Sequence, residues 1–290
     1  MRAVLPFTFA LAIAAAGPAL AQDGRSGGRL VLTDGVSSVE GSAGGGLATW
    51  ALIAGHETER GVGGSAHATI VVLPDFTLKS YGLAAGLWNR VELSYAHQDF
   101  DTRAVGAALG LGRNFILSQD IIGAKLRLTG DAVWDQDRWW PQVAIGVQHK
   151  IAAQGAVIAA VGGKERRGTD FYASATKLFL AQGVVLGGTL RYTKANQFGL
   201  LGFGGDQGTK RTAQFEGSAG MLLSRKLLVG AEYRSRPDNL GFAEEDDAVD
   251  AFAAWSAHRS LTVTAAWVDL GEIAAVKRQR GVFLSLQGAF

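Results

Sequence analysis

Apolar and polar residues alternate with a period of two along most of this chain. Over residues 91–98, Val91, Leu93 and Tyr95 fall on one side, and Glu92, Ser94, Ala96 and Gln98 on the other. The same alternation recurs over 122–128, 142–150, 184–193, 213–223, 227–234 and 261–268. A β-strand points successive side chains to opposite faces, so each stretch predicts a strand with one apolar face. Each comes close to the ~9–11 residues that a tilted strand needs to cross a bilayer. A soluble sandwich also alternates, but its apolar faces need a second sheet to cover them. In a transmembrane barrel the apolar face meets lipid and the polar face meets the interior. Residues 47–56, 65–73 and 77–87 read as further strands and 29–33 as a short one, while 104–117 and 156–163 are ambiguous between strand and loop. The expected fold is therefore all-β: a transmembrane antiparallel up-and-down β-barrel of about 14 strands, within a range of about 12–16.

Connections alternate in length as well. Residues 88–89, 181–183, 224–226 and 257–260 are short, whereas 195–212, 235–247 and 269–280 are long. Short periplasmic turns and longer external loops are the outer-membrane pattern. Trp88, Tyr192, Tyr233, Trp255 and Trp267 fall near strand ends, where aromatic girdles meet the lipid–water boundary. Charges sort onto the less apolar faces, at Glu92, Lys125, Arg127, Lys177, Arg191, Glu216, Glu232 and Asp250. A charge facing hydrocarbon is costly, so these are the expected lumen-lining residues, while Leu186 and Val229 face lipid. Four of them are basic and four acidic, so a pore lined by them would be only weakly ion-selective.

The start of the chain follows a different pattern. Arg2, an apolar stretch over 3–16 and Ala19-Leu20-Ala21 have the layout of a secretory signal with its cleavage site. The expected organisation is a signal peptide over 1–21 and one barrel domain over 22–290. At the other end, Val282, Leu284, Leu286, Gly288 and Phe290 share one face. A terminal aromatic on an alternating last strand resembles the signal read by the bacterial barrel-assembly machinery, an expected partner during biogenesis. The chain contains no cysteine, which excludes disulfides and thiolate metal sites. Its 40 glycines suit strands that bend and pack closely. A formal net charge of +2 gives no reason to expect a nucleic-acid partner.

Patterns that carry chemistry are weak. Ser65 and His67 have the i, i+2 spacing of a nucleophile and base on one strand face, but no acid follows at a readable spacing. Ser94 and His97 fall on opposite faces. The five histidines are scattered, without zinc spacing. The acidic run Glu244, Glu245, Asp246, Asp247 and Asp250 lacks the spaced pattern of a calcium loop and reads as a solvated loop. The glycine-rich stretch 202–208 lacks the Lys-Ser/Thr of a phosphate loop. No catalytic residue, metal site or cofactor is expected, and the chain does not read as an enzyme. Basic runs at 164–167, 210–211 and 277–280 fall in expected external loops. There they either pair with phosphates of lipopolysaccharide, an expected partner alongside outer-membrane lipid, or serve solubility alone.

Residues 170–182 (DFYASATKLFLAQ), 193–206 (TKANQFGLLGFGGD) and 236–255 (RPDNLGFAEEDDAVDAFAAW) resemble a family of proteobacterial proteins classed as a domain of unknown function. The earlier order VELSYA, then GAKLRLTGDAVWDQD, agrees with it. The resemblance implies an outer-membrane, porin-like barrel and implies no activity. The expected function is thus a porin-like channel for small solutes. The alternative is a structural or assembly component of the cell envelope, for example in surface-polysaccharide export, with a filled lumen. What separates the two is whether the lumen is open.

Overall fold

The computed structural model describes Leu32 and residues 36–56 and 61–290. The expected signal peptide, and all of the possible strand at 29–33 except Leu32, lie outside the described residues. A short hairpin comes first, from β1 (Val36–Ser37) and β2 (Ala43–Gly44). The barrel follows: β3 (Val62–Val72), β4 (Thr77–Leu87), β5 (Val91–Asp101), β6 (Ile116–Thr129), β7 (Gln142–Ala152), β8 (Arg167–Phe179), β9 (Val184–Thr193), β10 (Thr212–Ser224), β11 (Leu227–Arg234), β12 (Ala248–His258), β13 (Leu261–Asp269) and β14 (Arg280–Ala289). Every barrel strand pairs antiparallel with its neighbours in sequence, and β14 pairs with β3 to close a barrel of twelve strands. Closure leaves no unpaired edge, and that is what allows a sheet to stand in hydrocarbon. The backbone of Phe290 extends the closing seam, exchanging hydrogen bonds with Gly64 at 3.0 and 3.1 Å.

The twelve strands fall within the range expected from the alternation. The two ambiguous segments hold short helices in loops, α1 (Arg103–Ala108) and α2 (Gly155–Ala160). Residues 47–56, which read as a strand, do not join the barrel, because their backbone is held by wall side chains instead of by a neighbouring strand.

Burial alternates along the strands as the sequence pattern requires. On β5, Leu93 and Tyr95 are exposed while Glu92, Ser94, Ala96 and Gln98 are buried. Leu186 on β9 faces outward and Arg191 inward. The outer apolar face meets lipid, and no described helix is long and apolar enough to cross a membrane. Connections at one end are short, at 180–183, 225–226 and 259–260, with one exception, 130–141, which exposes Trp134, Trp139 and Trp140. The other end carries α1, α2 and the loops 194–211, 235–247 and 270–279, and by the outer-membrane rule faces outward. The basic runs at 164–167, 210–211 and 277–280 all lie at this end.

Some charges do stand on the outer face, against the sequence expectation. His97 lies 2.9 Å from Asp120 and 3.3 Å from Asp99, and the Tyr95 hydroxyl donates to Asp120 at 2.7 Å. These groups sit toward the long-loop end of β5 and β6, where Lys79, the register partner of Asp99 on β4, supplies a second cation. A charge costs about 2–4 kcal/mol at the bilayer midplane but only about 0–1 near the interface, so this height is permissive.

Candidate functional site

The lumen is filled by the chain itself. Residues 36–55 run through it with every residue buried. The segment has little regular structure of its own, so its N–H and C=O groups need partners, and the barrel wall supplies them. Glu92 accepts from the N–H of Ala54 at 2.9 Å and of Ala43 at 3.3 Å. Lys125 donates to the carbonyls of Leu52 at 2.8 Å and Ala43 at 3.0 Å, and pairs with Glu92 at 3.2 Å. Glu232 accepts from the N–H of Leu47, and from the Trp50 indole at 3.1 Å. Glu216 accepts from Thr49, Thr176 from Ala51, and Gln142 donates to Ala51. Gly45 passes so close to Glu232 that a Cβ there would stand 1.8 Å from Oε1, so a larger residue would displace the carboxylate that holds Leu47.

One wall of the lumen carries a charge cluster. Glu40 from the inner segment, Asp170 on β8 and Glu216 on β10 face Lys150 on β7, Arg191 on β9 and Arg234 on β11. Lys150 lies 2.5 Å from Glu40 and 3.0 Å from Asp170. Arg191 lies 2.5 Å from Glu216, 3.6 Å from Asp170 and 3.7 Å from Glu40. Arg234 lies 3.0 Å from Glu40 and 3.4 Å from Glu216. All six are buried. Three acids against three bases leave no net charge, the condition under which buried charges are tolerated. The loop 194–211 reaches into this layer through a turn at Asn196–Gly199, where Gln197 and Phe198 take left-handed φ of 46° and 60°. The Phe198 carbonyl thereby accepts from Lys150 at 3.1 Å, and the Arg234 guanidinium lies 4.6 Å from the centre of its ring.

The expected lumen residues are not all gathered there. Glu92 and Lys125 form a separate pair. Arg191 and Glu216 belong to the cluster. Glu232 holds the inner segment beside Asp250, its register partner across β11 and β12. Lys177 donates to the carbonyl of Asp135, and Arg127 lies 2.9 Å from Asp131 at the short-turn end. Sequence reasoning missed Glu40, Lys150, Asp170 and Arg234. Lys150 and Arg234 share a period-two face with Gln148 and Glu232, so their signal was present. Glu40 had none, because it lies in a glycine-rich stretch without periodicity.

Other candidates resolve simply. His67 and Ser65 both face inward, and His67 Nε2 lies 3.3 Å from the Ser80 hydroxyl. The acidic run is solvated at Glu244, Asp246 and Asp247 but tied down by hydrogen bonds. Glu245 accepts from the Gln197 N–H at 2.6 Å and lies 3.4 Å from Arg236; Asp246 accepts from Glu272 N–H at 2.8 Å, and Asp247 from the Tyr233 hydroxyl at 2.5 Å. These contacts clamp the loop, since a short acidic stretch can satisfy several orphan donors at once. No group of side chains able to hold a metal ion occurs among the described residues.

A closed antiparallel barrel with a lipid-facing apolar surface and a polar interior defines the class: this is an outer-membrane, porin-like β-barrel. Solved structures with the same fold include the KdgM porin, at 7% identity and a TM-score of 0.52, covering 78% of this chain and 99% of that one. The NanC porin matches at 8% identity and 0.49, over 78% of this chain and 98% of that one. Outer membrane phospholipase A from Escherichia coli matches at 8% identity and 0.42, over 79% and 91%. Among curated proteins, none matches. The chain belongs to the family described as Protein of unknown function (DUF3034), whose profile matches residues 33–287.

Proposed function

We propose that this chain is a gated outer-membrane channel for small solutes, closed in the described state by its own residues 36–56. The observation that carries this reading is how the lumen is filled. The wall is lined with charged and amide side chains that grip the backbone of an irregular segment, as Lys125 grips the carbonyls of Ala43 and Leu52. Water can replace a backbone partner at each of these groups, so a wall of this kind is stable wet as well as filled. The segment is also a single stretch joined to β3, free of strand pairing with the barrel. The KdgM barrel is named as a porin, which agrees with this reading. The balanced cluster around Glu40 favours the second reading, an envelope component whose lumen stays filled.

The same proposal makes the protein a non-enzyme, because Ser65 and His67 face the filled lumen and, among the described residues, His67 meets the Ser80 hydroxyl and not an acid. It places lipid and lipopolysaccharide around the barrel, with phosphates meeting the basic runs of the outer end, and the barrel-assembly machinery on the closing strand. Planar-bilayer recordings test the function. The full chain should open intermittently, and a chain lacking residues 36–56 should conduct steadily. Silence from both, with the barrel folded, would leave the structural role.

A further inference from the structure

We propose that the outer mouth of the barrel is a binding site for a small, neutral aromatic hydrocarbon. A cavity of about 230 Å³ lies there, between the outer loops and the inner segment. An apolar cavity of about 150 Å³ holds benzene, so this one admits a ring with a short alkyl substituent.

Its lining selects the class of ligand. Phe76 and Phe100 stack on the barrel side, with ring centres 5.0 Å apart. Phe198 and Phe242 add two more rings, and Leu200 and Leu201 line it from the loop 194–211. Aromatic walls favour an aromatic guest through offset and edge-to-face contacts. The few polar side chains are largely engaged. Gln98 donates to the Val39 carbonyl at 2.7 Å and accepts from Gln119 at 2.6 Å. Thr102 donates to the Phe115 carbonyl at 2.8 Å. Arg236 donates to the carbonyls of Asp246 and Leu270, and its remaining Nη1 faces Glu245 at 3.4 Å. A charged or hydroxyl-rich solute would lose its hydration for at most one donor, the Arg236 Nη1 that already faces the Glu245 carboxylate, whereas a hydrocarbon gives up nothing.

The cavity is not a closed core. Leu109 beside α1 is 42% exposed and Ala160 of α2 is exposed, and both line it. The cavity is therefore reachable from the outer loops at these two residues. The floor is the inner segment itself, at Val39 and Leu47. A bound hydrocarbon thus touches the element that closes the lumen. That the site loads the channel rests on the channel reading; the binding itself does not.

The test is calorimetric titration of the full chain, folded in detergent, with ethylbenzene, and with benzoate and xylose as comparisons. Ethylbenzene should bind saturably and at least ten-fold more tightly than benzoate, and xylose should not bind. Ala160→Trp and Leu111→Trp each fill the mouth from a loop and should weaken ethylbenzene at least ten-fold, while thermal unfolding of the barrel stays at the wild-type temperature. The proposal is overturned by absence of saturable binding to the wild type, by equal affinity for benzoate, or by undiminished binding in both filled variants. Binding without bilayer conductance would keep the site and reject the channel, and conductance without binding would do the reverse.

Discussion

Glu40→Gln separates a held gate from a permanently built-in plug. Glu40 is the one acid of the ion cluster that belongs to the inner segment; the other five charges stand on barrel strands. Its carboxylate reaches Lys150 at 2.5 Å, Arg234 at 3.0 Å and Arg191 at 3.7 Å, with no exposure to solvent. The substitution keeps size but turns one acceptor oxygen into an NH2 donor facing the bases, and leaves three bases against Asp170 and Glu216. Removing one partner of a buried pair costs about 3–5 kcal/mol, because the other charge stays buried. The lower end applies here, because the wall can hydrate once the segment leaves, so the whole cost falls on docking of the segment. At about 1.4 kcal/mol per factor of ten, about 3 kcal/mol raises the undocked fraction roughly a hundred-fold. The chain has no cysteine, so Ser42→Cys gives a single buried thiol on the segment. Maleimide labelling of that thiol in folded protein reports undocking. With Glu40→Gln added, labelling should accelerate by about two orders of magnitude while the barrel melts at its usual temperature. Unchanged labelling would refute the argument that this cluster holds the segment.

Other expectations follow from the same geometry. Leu186→Arg puts a charge on the lipid face and should lower barrel stability by about 2–4 kcal/mol in a folding titration. Thr189→Arg would be mild in a wet lumen, but Thr189 donates to the Thr49 carbonyl at 2.6 Å, so the larger side chain should expel the inner segment and raise Ser42→Cys labelling without preventing insertion. Deleting Phe290 removes the hydrogen bonds to Gly64 and should slow assembly into vesicles; an unchanged rate would refute its part in closure. Burial pushes the Glu245 carboxyl up to about 7 from its ordinary 4.5, and Arg236 only partly opposes this. A raised folded-state value means stability that is full below the ordinary value and lost as pH rises through about 7. Hydrogen exchange over 235–247, corrected for intrinsic rates, should therefore be slower at low pH, and Glu245→Gln should abolish the difference.

What could be read from the sequence, and what could not, has one physical cause. Strand faces such as Val91–Asp101 could be read because lipid on one side and a polar interior on the other impose a period of two on side chains. The same rule placed Glu92, Lys125, Arg191, Glu216 and Glu232 on the inward face. The separate expectation that charges avoid the lipid face did not cover Asp99 and Asp120, because alternation carries no information about height in the bilayer. It failed for residues 36–56, since Glu92, Lys125, Gln142 and Glu232 recognise that segment mostly through its backbone. A segment held by its backbone needs no periodic side chains, only glycines where the wall comes close, as Gly45 does at Glu232. Periodicity therefore cannot detect a filled lumen, and a polar inner face is equally compatible with water and with chain. Glu40 is the charged exception that makes the distinction testable: beside the bonds of the Trp50 indole and the Thr49 hydroxyl, it is the point where the segment's own charge, and not its backbone, is matched by the wall.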